Sequence, residues 1–180
     1  RRLARLARNR GQPGGAEPVS PLPYRRCVGA ALFAGDGRVL MAHRADQPRE
    51  AAGSWQMPQG GIDAGESPED AVRRELGEEI GTARARLLGT HPDWLTYDLP
   101  EPLIGHALHG RYRGQQQRWF ALRFLGTDAD IRLDADRHIE FDAWRWVDLA
   151  EAPGLVVGFK QPIYRILAAS FARFAVPEAT

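Results

Sequence analysis

Apolar and polar residues alternate in short runs from Tyr24 onward, and these runs predict a folded domain built from strands and helices. Small apolar side chains over residues 27–33 predict a buried strand, which a turn at residues 35–37 joins to a second strand over residues 39–42. A glycine-rich loop is predicted at residues 60–65. Further strand-like stretches lie at residues 55–57, 86–89, 94–97, 118–124 and 143–147.

Two segments have the features of helices. Ser67 is placed to cap the first one, because Pro68 follows at the first helical position and Asp70 lies three residues after the cap. This helix is predicted to run to about Ile80 and to end at Gly81, since glycine readily adopts the left-handed backbone of a helix end. The second predicted helix covers residues 162–174 and has apolar residues at helical spacing, namely Ile163, Ile166, Leu167 and Phe171.

The order of these elements predicts a single α/β domain with a mixed sheet between helices. The chain has 180 residues, enough for one such domain and a tail. We place the domain at residues 23–176, between an N-terminal tail at residues 1–22 and a short C-terminal end at residues 177–180. The tail is basic and rich in glycine and proline, so we predict that it is disordered; a basic RNA-contacting arm and an organelle-targeting segment are the alternatives.

Composition and charge exclude several classes of protein. The formal net charge is +1 and residues 1–22 carry +4, which leaves −3 on the rest, so binding of duplex DNA across the domain surface is not expected. No apolar run approaches the roughly 20 residues that span a bilayer, and no secretory signal is visible, so no membrane association is expected. Cys27 is the single cysteine, which excludes a disulfide within the chain and favours a cytoplasmic location.

The first predicted helix carries a cluster of acids. Glu75, Glu78 and Glu79 fall within an arc of about 100°, where like charges repel. Three converging carboxylates suit a hard divalent cation such as Mg²⁺ or Mn²⁺. From this spacing alone, the alternative is a solvated acidic face paired with Arg73 and Arg74. The adjacent apolar ridge, which would fix the helix against a core, consists of Val72, Leu76 and Ile80.

The wider spacing around this helix resembles the Nudix box. Eight of the nine positions that fix the box match, and the ninth, Thr82, stands where an aliphatic residue is usual. The resemblance implies an α/β/α sandwich, the Nudix fold, and hydrolysis of a nucleoside diphosphate linked to another group. The matching positions are Gly60, Glu66, Arg74, Glu75, Leu76, Glu78, Glu79 and Gly81.

Segments outside the box are similar to one subgroup of this family, and the similarity covers about residues 24–174. The subgroup contains bacterial enzymes that remove pyrophosphate from the 5′-triphosphate end of RNA, and enzymes that cleave dinucleoside tetraphosphates asymmetrically. The resemblance therefore implies a metal-dependent hydrolase that leaves a 5′-monophosphate on RNA, open to attack by ribonucleases. Two alternatives stay open: cleavage of diadenosine tetraphosphate to ATP and AMP, and a catalytically silent module that binds RNA or nucleotides.

The resemblance also implies an acidic centre. Glu75, Glu78 and Glu79 match metal-binding positions of the family, and the carbonyl of Gly60 is a further candidate ligand for Mg²⁺ or Mn²⁺. Glu140 matches an acid that binds metal or serves as the base in this subgroup; an ordinary surface acid is the alternative there. Glu75, Glu79 and Glu140 are the candidate catalytic residues.

A second set of matching positions implies substrate contacts. Arg25, Arg44 and Arg118 are candidates for contacts to the phosphates, although ordinary surface arginines are the alternative. Phe159 and Lys160 match a segment that contacts a nucleobase by stacking and polar contact, although Phe159 could instead be a core residue. Three residues match positions that support the box itself, namely Glu66, Arg74 and Gly81.

Overall fold

A mixed β-sheet runs through the part of the chain that the computed structural model describes, residues 22–178. Eight strands are present in that range: β1 Tyr24–Phe33, β2 Val39–Arg44, β3 Trp55–Gln56, β4 Gln59–Gly61, β5 Ala85–Thr90, β6 Leu95–Asp98, β7 Gly114–Phe124 and β8 Phe141–Val147. The helices are α1 Pro68–Ile80, α2 Ala152–Leu155 and α3 Gln161–Ser170, and short 3₁₀ turns lie between elements, among them Glu101–Leu103, Leu108–Gly110 and Gly158–Lys160.

The two longest strands, β1 and β7, form the centre of the sheet. They run parallel, from Tyr24 opposite Gly114 to Phe33 opposite Arg123. On the side of β1 away from β7 lie β2 and β4, and β7 pairs with β5 and β6 on its own far side, all of them antiparallel. The remaining strands, β3 and β8, both pair with β2. The predicted hairpin of the first two strands is therefore present.

Each face of the sheet has its own apolar core, because successive side chains of a strand point to opposite faces. Odd-numbered residues of β1 and β7, such as Phe33 and Trp119, pack with α2 and α3. Even-numbered residues, such as Leu32 and Phe120, pack with α1. The predicted mixed sheet between helices is confirmed as an α/β/α arrangement.

The first helix has the predicted ends. Its N-cap is Ser67, whose hydroxyl accepts a hydrogen bond from the backbone N–H of Asp70 at 3.1 Å, and Pro68 opens the helix. Gly81 follows Ile80 with φ of 75°, the left-handed conformation that glycine adopts without strain. The predicted apolar ridge of Val72, Leu76 and Ile80 is buried against the sheet.

Three predicted elements differ in extent from those observed. The loop predicted at residues 60–65 begins with strand β4, because the backbone of Gln59–Gly61 pairs with β1. Strand β7 begins at Gly114 rather than near Arg118, because its early residues pair with β1 and β6. The last helix, α3, ends at Ser170, and Ile166 on its predicted apolar face is 44% exposed.

The described residues at the two ends of the chain can be compared with the predicted domain bounds, residues 23–176. The predicted tail lies outside the described residues except for Leu22. At the other end, the backbone N–H of Glu178 donates to the carbonyl of Gly35 at 2.9 Å, so contacts to the domain continue past residue 176. None of the helices described between residues 22 and 178 is long and apolar enough to cross a membrane.

Two glycines test the role of backbone conformation in α1, namely Gly81 at its end and Gly77 in its middle. We expect Gly81→Ala to destabilise the protein by about 1–2 kcal/mol or more, because φ is positive and a Cβ would lie 2.6 Å from the Cβ of Arg132. The matched control is Gly77→Ala, in the middle of the helix, where a Cβ would meet nothing within 4 Å. That change should stabilise by about 0.5–1 kcal/mol. Urea unfolding measures both, and effects of equal sign would contradict the account.

Candidate active site

An open cavity of about 790 Å³ lies beside the N-terminal half of β1. Its walls come from several elements, because β2, β4, β6 and the turn before α3 all end around it. Both acidic and basic residues line it. The residues of the predicted site that line it are Arg25, Arg44, Gly60, Glu75, Glu140, Phe159 and Lys160.

Glu79 is buried next to this cavity and is only 6% exposed. One carboxylate oxygen, Oε2, accepts a hydrogen bond from the backbone N–H of Gln59 at 3.0 Å. The other, Oε1, is buried and receives no hydrogen bond from a donor among the described residues, although the carboxyl of Glu140 lies close enough to share a proton with Glu79. Burial raises the pKa of Glu79 well above its ordinary value, and the neighbouring carboxylates of Glu140 and Glu75 raise it further. The ionised form of Glu79 is therefore energetically unfavourable, and a bound cation would stabilise it.

Glu75 lies one turn earlier on α1 and faces the cavity. Its carboxylate packs against the backbone of Gly60, where an added Cβ would lie 1.9 Å from the carboxyl carbon of Glu75. A side chain at position 60 would force the Glu75 carboxylate to move, which favours glycine as the first residue of the box. Burial raises the pKa of Glu75, while a hydrogen bond from Arg74 at 2.9 Å acts in the opposite direction.

Arg74 ties the loop after β4 to the helix. Its guanidinium donates two hydrogen bonds to the carboxylate of Glu66, at 2.8 and 2.9 Å, and a third to the carbonyl of Gly61 at 2.8 Å. The paired charge lowers the pKa of Glu66 to about 2. The same guanidinium also donates to Glu78 at 3.2 Å. The planar fork of arginine makes these contacts together, which a lysine cannot do.

The carboxylate oxygens of Glu75, Glu78 and Glu79 indicate whether this cluster could bind a cation. Carboxylate oxygens are the ligands that Mg²⁺ and Mn²⁺ prefer, and the partnerless Oε1 of Glu79 is a donor of this kind. Within residues 22–178, however, no three acidic, histidine or cysteine side chains already surround one point as a metal centre requires. Arg74 contacts both Glu75 and Glu78, and Glu78 is 44% exposed and outside the cavity wall. The donor chemistry fits a divalent cation, and side-chain rotation is needed to complete a site.

Glu140 comes from a different part of the chain, the loop that leads into β8. It lines the cavity and is close enough to Glu79 to raise the pKa of that residue. Two carboxylates that are 61 residues apart in sequence therefore meet here.

The basic residues of the cavity are Arg25, Arg44 and Lys160. Lys160 is only 5% exposed; its ammonium donates to Oε1 of Gln56 at 3.2 Å and lies 5.6 Å from the ring centre of Tyr97. Burial, together with the nearby charge of Arg44, lowers the pKa of Lys160 to about 8, although the carboxylates of Glu79 and Glu140 act in the opposite direction. This cation is held in place without a carboxylate partner within 4.0 Å among the described residues. An anionic ligand in the cavity would stabilise it.

Phe159 combines its two predicted environments. Its ring lines the cavity and also packs against the core on that face of the sheet. The ring centre lies 5.5 Å from that of Tyr97. A base in the cavity would therefore meet an aromatic surface that the core already holds in position.

Arg118 does not reach the cavity. It is an even-numbered residue of β7, and strand alternation places it on the opposite face, where it donates to the carbonyl of Pro92 at 2.7 Å. Arg118 therefore does not line this cavity, and a contact between Arg118 and a polyphosphate stays a prediction.

Sequence reasoning missed a row of glutamines beneath the cavity. Gln117 donates to Gln59 at 3.1 Å and to Gln115 at 2.9 Å, and it accepts from the indole of Trp119 at 3.0 Å. The available signal was a pair of glutamines two residues apart, Gln115 and Gln117, on the face of β7 that also carries Trp119 and Ala121. Buried amides need partners, so this row fixes the floor of the cavity.

Comparison with known proteins agrees with this geometry. Residues 23–168 match the NUDIX domain, and the chain belongs to the Nudix family. Members of this family generally use divalent metal ions.

Particular relatives extend over nearly the whole chain. A protein of Gluconacetobacter diazotrophicus named RNA pyrophosphohydrolase is 62% identical over 163 residues, which cover 88% of this chain and 98% of the relative. One of the same name from Acidiphilium cryptum is 59% identical, covering 87% of this chain and 95% of that relative.

Among solved structures, a C. elegans Ap4A hydrolase complex has a TM-score of 0.57 at 19% identity, covering 83% of this chain and 98% of that one. The E. coli dihydroneopterin triphosphate pyrophosphohydrolase has 0.55 at 22%, covering 82% and 99%. At such identities these two structures show the fold alone.

The buried cation gives a stability prediction. Because the pKa of Lys160 is depressed in the folded protein, its charge is a cost to folding below pH 8, and that cost falls between about pH 8 and the ordinary value of 10.5. We expect Lys160→Met to raise the free energy of unfolding at pH 7 by about 1–3 kcal/mol. The gain should shrink by pH 9.5, as measured by urea unfolding.

The control for this prediction is Arg165→Met, an exposed cation on α3. It should change stability by less than about 0.5 kcal/mol at either pH. A Lys160→Met protein less stable than the wild type at pH 7 would contradict the account of a strained cation.

Proposed function

We propose that this Nudix hydrolase removes pyrophosphate from the 5′-triphosphate end of RNA and leaves a 5′-monophosphate. The observation that carries the proposal is the identity of 62% to a protein named RNA pyrophosphohydrolase over 98% of that relative's length. The cavity supports it, because acidic and basic side chains line one space that is open to solvent. A bacterial RNA substrate would place the enzyme in the cytoplasm.

The basic residues would bind the triphosphate. Arg25, Arg44 and Lys160 all line the cavity. Bound phosphates would give the buried ammonium of Lys160 an anionic partner. Phe159, supported by Tyr97, would stack on a base near the 5′ end. These contacts would orient the phosphate chain toward the acidic residues.

Glu75, Glu79 and Glu140 would hold Mg²⁺ or Mn²⁺, with the carbonyl of Gly60 as a further ligand. Glu78, which contacts Arg74 outside the cavity wall, would join them after side-chain rotation. When bound, such a cation would screen the phosphate charges and lower the pKa of water. Arg74 and Glu66 would keep the loop and helix in register and would not touch substrate.

The reaction itself consumes one water molecule. The oxygen of water attacks phosphorus, the bond between the α- and β-phosphates breaks, and pyrophosphate leaves. One carboxylate takes the proton of the attacking water. Glu79, Glu75 and Glu140 are the candidates, and the raised pKa of Glu79 makes its ionised form the better proton acceptor.

Substrate choice is tested by comparing two polyphosphates under the same conditions. With Mg²⁺ present, we expect kcat/KM for a triphosphorylated RNA of eight nucleotides to exceed that for diadenosine tetraphosphate by at least about tenfold. The products should be pyrophosphate and a 5′-monophosphorylated RNA. A preference for diadenosine tetraphosphate, with ATP and AMP as products, would contradict the proposal and favour the second activity of this subgroup.

The acidic centre is tested by Glu79→Gln. This change keeps the shape of the side chain and its hydrogen bond from Gln59, but removes the charge. We expect kcat on triphosphorylated RNA to fall by about 10²-fold or more at saturating Mg²⁺, with the circular dichroism spectrum unchanged.

The matched control is Glu69→Gln, an exposed acid in the first turn of the same helix. Its rate should stay within about twofold of the wild type. Near-normal turnover by a folded Glu79→Gln protein would remove Glu79 from the reaction.

A further inference from the structure

A second basic surface lies on the opposite face of β1 and β7 from the catalytic cavity. Its three members are Arg26, Trp94 and Arg118, which we call the Trp94 platform. We propose that the platform binds the RNA chain downstream of the 5′ nucleotide, by stacking with a base and by contact with backbone phosphates. This inference rests on RNA being the substrate.

The platform is built from both central strands. The guanidinium carbon of Arg26 lies 3.8 Å from the ring centre of Trp94, and that of Arg118 lies 5.9 Å from it. Arg26 is opposite Gln116 and donates to its side-chain oxygen at 2.9 Å, while Arg118 is held by the carbonyl of Pro92. The two guanidinium groups are thus positioned before any ligand arrives.

The positive charge of the platform is not neutralised. No carboxylate lies within 4.0 Å of Arg26 or Arg118 in the described part of the chain. Two acids, Asp63 and Glu66, line the depression beside Trp94, and both are within ion-pair distance of Arg74, at 3.7 and 2.8 Å. Two free arginines beside an aromatic ring form a surface that attracts a polyanion.

One residue, Arg25, links the surroundings of the platform to the catalytic cavity. A shallow depression of about 540 Å³ lies beside Trp94, and Tyr112, Ile62 and Arg26 help to form it. Arg25 lines both this depression and the catalytic cavity. An RNA chain that leaves the cavity past Arg25 would enter this depression, whose lining includes Arg26 and Trp94.

The chemistry of the platform favours single-stranded RNA over the other available occupant. Unpaired bases stack on tryptophan and on guanidinium planes, and their phosphates pair with arginine. The chain's own residues 1–21 lead into β1 close by, but they contain five arginines and one acid. That segment would be repelled by the platform, whereas the phosphates of RNA would be attracted.

Direct binding tests the platform without turnover. The probes are 3′-labelled, 5′-monophosphorylated RNAs of two, four and eight nucleotides, titrated with the full-length protein and followed by fluorescence anisotropy. The wild type should bind the eight-nucleotide RNA more tightly than the dinucleotide. Trp94→Ala should weaken binding of the longer RNA by about fivefold or more and leave the dinucleotide within about twofold. Trp94→Phe should restore most of the loss.

Two further variants separate charge from stacking. The double variant Arg26→Ala, Arg118→Ala should reduce the slope of log Kd against log salt by about 1.4 for the eight-nucleotide RNA, if each arginine contacts one phosphate. The matched control is Arg145→Ala, an exposed arginine 4.3 Å from the ring centre of Trp55 on another part of the sheet. It should leave every Kd within about twofold.

The results distinguish the platform from the proposed function. Equal weakening of the two-nucleotide and eight-nucleotide RNAs by Trp94→Ala, or no weakening of either, would overturn the platform. So would a wild-type Kd that does not change with length. Failure of the proposed function appears in a different measurement, the absence of pyrophosphate release from triphosphorylated RNA by the wild type.

Discussion

The burial of one carboxylate, that of Glu79, is the constraint on which the rest of the site depends. An ionised carboxylate in an apolar surrounding is unfavourable unless it is fully hydrogen-bonded or paired with a cation, and here one oxygen has neither partner among the described residues. The side chain stays in place because Leu76 and Ile80 anchor α1 to the sheet and because Gln59 donates a backbone hydrogen bond. Packing energy elsewhere in the helix therefore supports a group that is unfavourable by itself.

The same logic extends across the cavity. Lys160 is a buried cation whose pKa is lowered, and Glu79 is a buried acid whose pKa is raised. Burial of either charge lowers the free energy of unfolding, and a bound ligand of opposite charge would stabilise each of them. Arg74 and Glu66 contribute differently, since their mutual pairing stabilises the ionised forms of both and fixes the loop that carries Gly61. The cavity thus combines two buried charges of opposite sign with a satisfied ion pair on the adjacent loop. This arrangement suits a substrate that carries phosphates and is accompanied by a divalent cation.

Features with local causes were predictable from the sequence. The bounds of α1 followed from its cap residues, and the shared edge of Glu75 and Glu79 followed from helical periodicity. Features that depend on pairing between distant segments were not predictable in this way. Strand β4 exists only because β1 lies beside it, and the face occupied by Arg118 depends on how β7 is aligned with β1.

The Trp94 platform and the glutamine row have the same origin. Arg26 and Trp94 are 68 residues apart, and they meet because β6 and β1 both flank β7. Gln59 joins Gln115 and Gln117 across a similar separation. The family resemblance supplied the positions of Glu140, Phe159 and Lys160 around the cavity, which neither periodicity nor spacing alone would have brought together.

The most direct test of the central claim is the melting temperature of the wild type and of Glu79→Gln, with and without Mg²⁺. In EDTA, the variant should melt at or above the temperature of the wild type, because an unfavourable buried charge has been removed. At a Mg²⁺ concentration of about 100 times its Kd, the wild type should gain roughly 5–10 °C, and the variant should gain much less. An equal gain in both proteins, or no gain in the wild type, would contradict the claim that this carboxylate is held for a cation.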